Sequence, residues 1–319
     1  MRITKKIARE MLEVLDEIRK EISRSEKEKY PFTEWERQRD RVRERMEKLP
    51  EYVEKAASMI KRASTAGRPE KLNPAQKTML FLFTRLMNKS NRDMELVVEL
   101  LKPLLKEKVS YKYIERLYSD EEVMMVLHNL FVLLLEEENI SGNLSGDGTG
   151  YSLMITKHYR SDPKKKGRDY RYVFRMIDLN TGMYVAWGYS DVSEMCAYNK
   201  AMDMLKEVGI SMKSITLDRY YSSGKILKVF GKDTKVFVIP KKNISKIGFK
   251  WSIIIKRIIE DPFMFMKNYF KRNLSECGFS SDKRRFGWVI RQKRYDRRET
   301  ALFAIGLLHN IFFVRVKTS

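Results

Sequence analysis

The glycines divide this chain in two. Residues 1–141 hold one of them, Gly67, and the other fourteen follow from Gly142 onward. Glycine marks turns, bulges and close backbone approach, so a long stretch almost without it predicts helices, and the glycine-rich remainder predicts strands joined by tight turns. The expected class is α+β overall: an all-α N-terminal region followed by an α/β domain with a mixed five-stranded sheet. At 319 residues the chain is long enough for more than one core. Three units are expected: N-terminal helices over 1–66, a second helical region over 67–141, and the glycine-rich α/β domain over 142–319.

Within the first part, Ile3, Ile7, Met11, Leu15, Ile18 and Ile22 recur at three- and four-residue steps, which predicts an amphipathic helix over 2–28. Pro31 interrupts it, Thr33 is placed to cap a second helix, and Pro50 is expected to interrupt again. The stretch 65–73, with Gly67 and Pro69, reads as a linker. Three short helical patterns follow, the third opened by Ser110. An ordinary helical bundle and a helix-turn-helix both fit them; in the second case Tyr111, Lys112, Tyr113 and Arg116 would face a DNA groove. An apolar helix over 121–139 leads into the second part.

From Asn143 the rhythm becomes that of a sheet. NLSGDGTGYSLMIT predicts a strand, and a basic loop follows. RYVFRMIDL and MYVAWGYS predict two more, joined at Asn180-Thr181-Gly182. A helix capped by Ser193 and ended by Gly209 comes next, then a short strand closing on Asp218, a short helix, a strand stopped by Pro240, and helix over 252–274 broken at Asp261-Pro262.

The net charge of +22 predicts a polyanionic partner, most simply nucleic acid. An anionic membrane surface is the competing partner, but the longest apolar runs, 123–135 and 301–314, are each interrupted by His-Asn and fall short of about 18 residues, so they read as buried core and not as a span, and no membrane partner is expected. The opening MRITKKIAREML lacks a signal peptide's apolar block. Cys196 and Cys277 are far apart, and His128, His158 and His309 are scattered. This argues against a zinc site or a disulfide framework and for a reducing compartment, with a cytoplasmic, nucleoid-associated location expected. The helical histidines read as hydrogen-bonded core residues.

Two acids stand out. Asp147 lies in Gly-Asp-Gly on the first predicted strand and Asp218 ends the fourth. Taken singly, the first is a turn signal and the second a helix cap. If those strands pair, the two carboxylates lie about 5 Å apart across one sheet. Such neighbours repel unless a divalent cation sits between them. A third carboxylate comes from 269–283, where Tyr269, Arg272, Glu276 and Lys283 fall within an arc of about 60° on an ideal helix. Gly278 and Ser280-Ser281 weaken the case for one unbroken helix there. Glu260, Asp261 and Asp282 are fallback candidates for the third acid.

These residues resemble the DDE transposases of insertion sequences. The pieces that match are GDGTG around Asp147, the basic loop after it, DLNTG at 178–182, LDRYYSS around Asp218, and the specific signature Tyr269-x2-Arg272-x3-Glu276-x6-Lys283. The resemblance covers about 143–313 and implies an RNase H-like catalytic fold. It implies that Asp147, Asp218 and Glu276 hold two Mg2+ or Mn2+ ions, that water cuts the phosphodiester at a transposon end, and that the freed 3′-hydroxyl attacks target DNA. Tyr269, Arg272 and Lys283 would contact phosphates. The partners implied are transposon-end and target DNA and a homodimer on DNA. The alternative is a catalytically inactive, transposase-derived DNA-binding protein. Further DNA contacts are expected from the loop residues Lys157, Arg160, Lys164, Lys165, Lys166 and Arg168. A second run, Arg284, Arg285, Arg291, Lys293, Arg294, Arg297 and Arg298, interleaves with Phe286, Trp288 and Tyr295. Trp288 and Tyr295 are placed to stack on an unpaired base, although core packing is the first reading for Trp288.

Overall fold

The sheet begins one residue past the glycine boundary. A computed structural model describes residues 3–25, 32–61, 70–100, 108–153, 170–242 and 247–313. Six described helices come first: α1 (Lys5–Ser25), α2 (Phe32–Ser58), α3 (Pro74–Met87), α4 (Asn91–Leu100), α5 (Tyr111–Leu117) and α6 (Glu121–Glu136). Then follow β1 (Asn143–Ser152), β2 (Tyr170–Asp178), β3 (Tyr184–Ser190), α7 (Glu194–Val208), β4 (Ser214–Leu217), α8 (Gly224–Val229) and β5 (Lys235–Phe237). Four helices close the described chain: α9 (Phe249–Glu260), α10 (Pro262–Phe270), α11 (Asn273–Phe286) and α12 (Tyr295–Phe312). The basic loop with Lys157, Arg160, Lys164, Lys165, Lys166 and Arg168 lies outside the described residues, as does most of the stretch read as a linker.

The five strands form one mixed sheet in the order β3-β2-β1-β4-β5. β1 pairs antiparallel with β2 and parallel with β4, so the middle strand joins a meander to a parallel edge. The β2–β3 turn is built by a buried acid. Asp178 Oδ2 accepts from the backbone N–H of Asn180 and Thr181 and from the Thr181 hydroxyl, while Oδ1 accepts from Ser141, and Gly182 takes φ 74°.

The structure corrects the reading of two helices. α2 runs through Pro50 without a break. Proline inside a helix forfeits a hydrogen bond and crowds the preceding turn. Here Arg45 and Leu49 before it and Val53 and Ala56 after it share one buried face against α6, which holds both halves in line. In the 269–283 stretch the interruption comes at 271–272, between α10 and α11, and the helix continues through Gly278 and Ser280-Ser281. Gly278 is there for approach: a Cβ at that position would stand 2.7 Å from the Tyr184 hydroxyl.

The helical part and the sheet share a continuous apolar core. Phe131 of α6 packs edge-on to Trp187 of β3 at 4.7 Å, and both rings meet Phe303 of α12. α12 therefore lies among α2, α3, α6 and β3. Arg45 of α2 donates to the carbonyl of Asn310 at 2.5 Å and pairs with Glu138. α1 lies against α9 and α10.

One buried polar cluster fastens α11 and α12 to the sheet. Arg175 of β2 and Asp282 of α11 are both fully buried and paired at 2.5 Å. The Tyr184 hydroxyl donates to the same carboxylate at 3.0 Å, and His309 Nδ1 stands 2.7 Å from its other oxygen. His309 Nε2 faces the Gly182 carbonyl at 3.0 Å, which only accepts, so that nitrogen carries a hydrogen. This is the core histidine that the sequence leads one to expect. Burial raises the Tyr184 phenol well above its ordinary range, with the Asp282 charge adding to it.

Candidate active site

The parallel register of β1 and β4 runs from Asn143↔Ser214 to Gly146↔Leu217. Asp147 and Asp218 are the next residue on each strand, one step beyond the last pair. Neighbouring strands are about 4.8 Å apart, so Asp147, midway along β1, and Asp218, just past the end of β4, stand side by side. Asp147 remains in the β1–β2 ladder opposite Arg175, whereas Asp218 opens a 3-10 turn, Arg219–Tyr221, with its side chain free of capping.

The third acid arrives on α11. Ser275, buried, donates to the Ser145 hydroxyl at 2.9 Å, and this contact ties the first turn of α11 to β1 two residues before Asp147. Glu276 is the next residue and points outward, with its side chain 46% exposed. Arg272, in the joint between α10 and α11, reaches forward one turn to Glu276 Oε1 at 2.6 Å and stands 3.8 Å from Asp218 Oδ1. Its guanidinium lies 5.6 Å from the ring centre of the buried Tyr269.

Electrostatics tie the three acids together. Burial pushes the Asp147 carboxyl up to about 7; the Gly148 N–H, donating at 2.9 Å, works against this, and Glu276 and Asp218 add to the rise. Desolvation opposes the charge on Arg272, yet Tyr269, Glu276, Asp218 and Asp147 together hold its pKa above the ordinary guanidinium value. Burial likewise raises the Tyr269 phenol. Among the described residues, no three acidic, histidine or cysteine side chains stand as a finished metal-ligand set. The arrangement that is present is a carboxylate cluster with one arginine bridging two of its members.

Lys283, two turns along α11, does not extend that cluster. Its ammonium donates to Thr149 Oγ1 at 2.7 Å and to the Gly150 carbonyl at 2.8 Å, over the Tyr151 ring. It therefore braces the far half of β1. Of the fallback acids, Asp282 is enclosed with Arg175, Tyr184 and His309, and Asp261 caps α10 by accepting from Met264 N–H at 2.9 Å. Glu260 is exposed at the end of α9.

Two neighbours of the site escape a reading of sequence. Glu194, the first residue of α7, lies where a Cβ on Gly148 would be, and it accepts from the Tyr221 hydroxyl at 2.5 Å. It is thus a carboxyl packed on Gly148, on the sheet face opposite the Asp147 side chain, and Gly148 is required for it to fit. In sequence it follows a capping serine, where an acid is expected for helix reasons alone. The second is α1. Its residues Leu12, Leu15, Asp16 and Arg19 form one wall of a cavity of about 470 Å³ whose other wall includes Asp218, Tyr269 and Arg272. Nothing local marks Arg19 as a neighbour of a residue 199 positions away (218 minus 19).

The remaining expected DNA contacts are dispersed. Lys112 and Arg116 are exposed on α5, and Tyr111 is half-buried with the Arg92 guanidinium 5.5 Å from its ring. Arg284 and Arg285 are exposed on α11, with Arg285 over Phe312 and Phe313. Arg291 donates to the Asn88 carbonyl at 3.1 Å, and Arg294 is paired with Asp296 at 2.6 Å. Trp288 is half-buried, and its carbonyl accepts from Ser152 N–H at 3.1 Å. Tyr295 is exposed and accepts from Lys200 at 2.9 Å. Among the described residues no helix is long and apolar enough to cross a membrane.

The chain is similar to a curated protein of Archaeoglobus fulgidus described as a probable transposase for insertion sequence element ISA1214. They are 64% identical over 315 residues, which covers 99% of this chain and 98% of the relative. No family model and no solved structure matches the chain.

Proposed function

The chain belongs to the insertion-sequence transposases, and from that premise we propose that it is a DDE enzyme with an RNase H-like catalytic domain, acting on DNA through Asp147, Asp218 and Glu276. The observation that carries this reading is the β1–β4 register. It sets Asp147, midway along β1, beside Asp218 at the end of β4, with Glu276 brought near them by α11. The donor set suits hard divalent cations such as Mg2+ or Mn2+, which prefer oxygen ligands. The raised Asp147 carboxyl fits as well: burial disfavours its charge, and Glu276 and Asp218 add to the rise, so a cation held by the three acids would offset both. Bound there, such ions supply Lewis-acid stabilisation of the charge on attacking and leaving oxygens of a phosphodiester.

The protein's own residues do the rest. Arg272 holds Glu276 in position, and Glu276 would hold the cations together with Asp147 and Asp218. The Arg272 guanidinium, a fork of donors beside the acids, would suit a phosphate oxygen pair. Tyr269 keeps the guanidinium over the site from below. Lys283 holds β1 in register and so fixes Asp147. Hydrolysis at an element end leaves a 3′-hydroxyl, and joining that hydroxyl to target DNA completes transposition.

This reading predicts that the full-length chain cuts a labelled duplex carrying the terminal sequences that flank its coding region. Cutting should require Mg2+ or Mn2+ and stop with chelator. Equal cutting in chelator would rule out metal-dependent chemistry. Tight, salt-sensitive binding to the ends without cutting in any divalent cation would make the chain a binding protein only.

A further inference from the structure

We propose an anion site, sharing no residue with the acid cluster, that seats a backbone phosphate of the bound DNA between the end of α3 and the segment leading into α12. It rests on the reading of the chain as a DNA-acting enzyme. The cavity has a volume of about 470 Å³. Arg85 and Lys89 come from the α3 side, and Arg291, Lys293, Arg294 and Arg297 from the other; Glu115 of α5 is the acid in its wall.

Arg85 is what distinguishes this place from a basic surface. It is 4% exposed, and its Nε and Nη2 are buried with no hydrogen-bond partner. An arginine left so is costly, because buried N–H groups on a cation forfeit both water and any replacement. The wall around it is fixed. Asn88 ends α3 in the left-handed region, with φ 49°, and Arg291 donates to its carbonyl. Arg297 pairs with Glu115 and donates to Ser119 at 3.3 Å. The neighbouring arginines are thus braced by protein groups, and the guanidinium at the base is not. A phosphodiester oxygen pair fits that need, since a guanidinium presents its N–H groups as a planar fork. The exposed Lys89 and Lys293 would add charge at the rim.

The test uses the full-length chain in chelator, so it does not depend on cleavage, and compares it with Arg85→Met. Inorganic phosphate should raise the wild-type melting temperature beyond chloride of equal ionic strength and leave the variant unmoved. Without phosphate the variant should melt no lower than wild type, because the unpaired charge is gone. For binding of a short duplex, the slope of log affinity against log salt should shrink by about 0.9, the value of one phosphate contact. A variant that melts lower without phosphate would make Arg85 a structural residue and overturn the proposal. So would equal phosphate responses in the two proteins. A phosphate response lost together with an unchanged DNA slope would overturn the assignment to DNA, leaving a site for free phosphate. If Arg85→Met does not fold, the pair Lys89→Gln and Lys293→Gln at the exposed rim should still reduce the slope, and no reduction would count against the site. A chain that binds no duplex at all would sink the proposed function, and the phosphate arm would still report on the pocket.

Discussion

Asp147→Asn should abolish DNA cleavage while leaving binding of the element ends almost unchanged. The side chain keeps its size and loses its charge, so cation binding fails but the surface that grips phosphates is intact. Removing even an outer partner of a metal ligand costs about 10- to 100-fold, and a direct ligand should cost more than that. The same variant has a stability signature in chelator. In wild type the Asp147 carboxyl is pushed up to about 7, above its ordinary value of 3.8. Between those two pH values the folded chain keeps a proton that the unfolded chain has released. The stabilisation associated with that proton is complete below the ordinary carboxylate range and is lost as pH rises through about 7. Asparagine is neutral throughout. The variant should therefore gain on wild type in thermal midpoint from pH 4 upward, with the difference levelling off above about 7. Residual cutting near the wild-type rate would remove Asp147 from the chemistry. A midpoint difference that does not change with pH would mean that its carboxyl is not confined as described.

Asp282→Ala should unfold much of the protein without touching metal binding. The variant leaves the Arg175 guanidinium fully buried with its carboxylate gone, and it strips partners from Tyr184 and His309. Breaking a buried pair by removing one partner costs about 3–5 kcal/mol, a large part of the stability of a typical domain. Denaturant midpoints measured in chelator would show the loss. The double variant Arg175→Met, Asp282→Leu should recover most of it, because apolar groups of similar size can replace a buried pair at little cost. If the single variant is as stable as wild type, the cluster is not what fastens α11 and α12 to the sheet. If instead its stability is normal and its activity responds to the concentration of divalent cation, Asp282 acts as a ligand after all.

Features that rest on local pattern were legible in the sequence. The glycine boundary marks the start of the sheet, because strands that turn and pack closely need residues without a Cβ. The order of strands and helices from Asn143 to Glu260 follows alternation, caps and turns, and the structure reproduces it. The pairing of β1 with β4 was the condition for bringing Asp147 and Asp218 together, and that pairing is present. What was not legible depends on contacts between distant residues. Pro50 reads as a break because the burial of Leu49 and Val53 against α6 lies outside any local window. Gly278 reads as a weakness because Tyr184 is 94 residues away (278 minus 184). Asp282 reads as a spare acid because its partners, Arg175 and His309, come from a strand and another helix. Glu194 and Arg85 went unnoticed for the same reason: each has an ordinary place on its own helix and an unusual one in the fold.

In the proposed mechanism Asp147, Asp218 and Glu276 together hold divalent cations. Anomalous diffraction from crystals of the full-length chain soaked in Mn2+ tests it most directly. Anomalous density is expected between Asp147 and Asp218, with Glu276 turned away from Arg272 to meet it, and none in crystals of Asp147→Asn treated alike. Manganese bound elsewhere, with Glu276 still paired to Arg272 and the two aspartates bare, would contradict it.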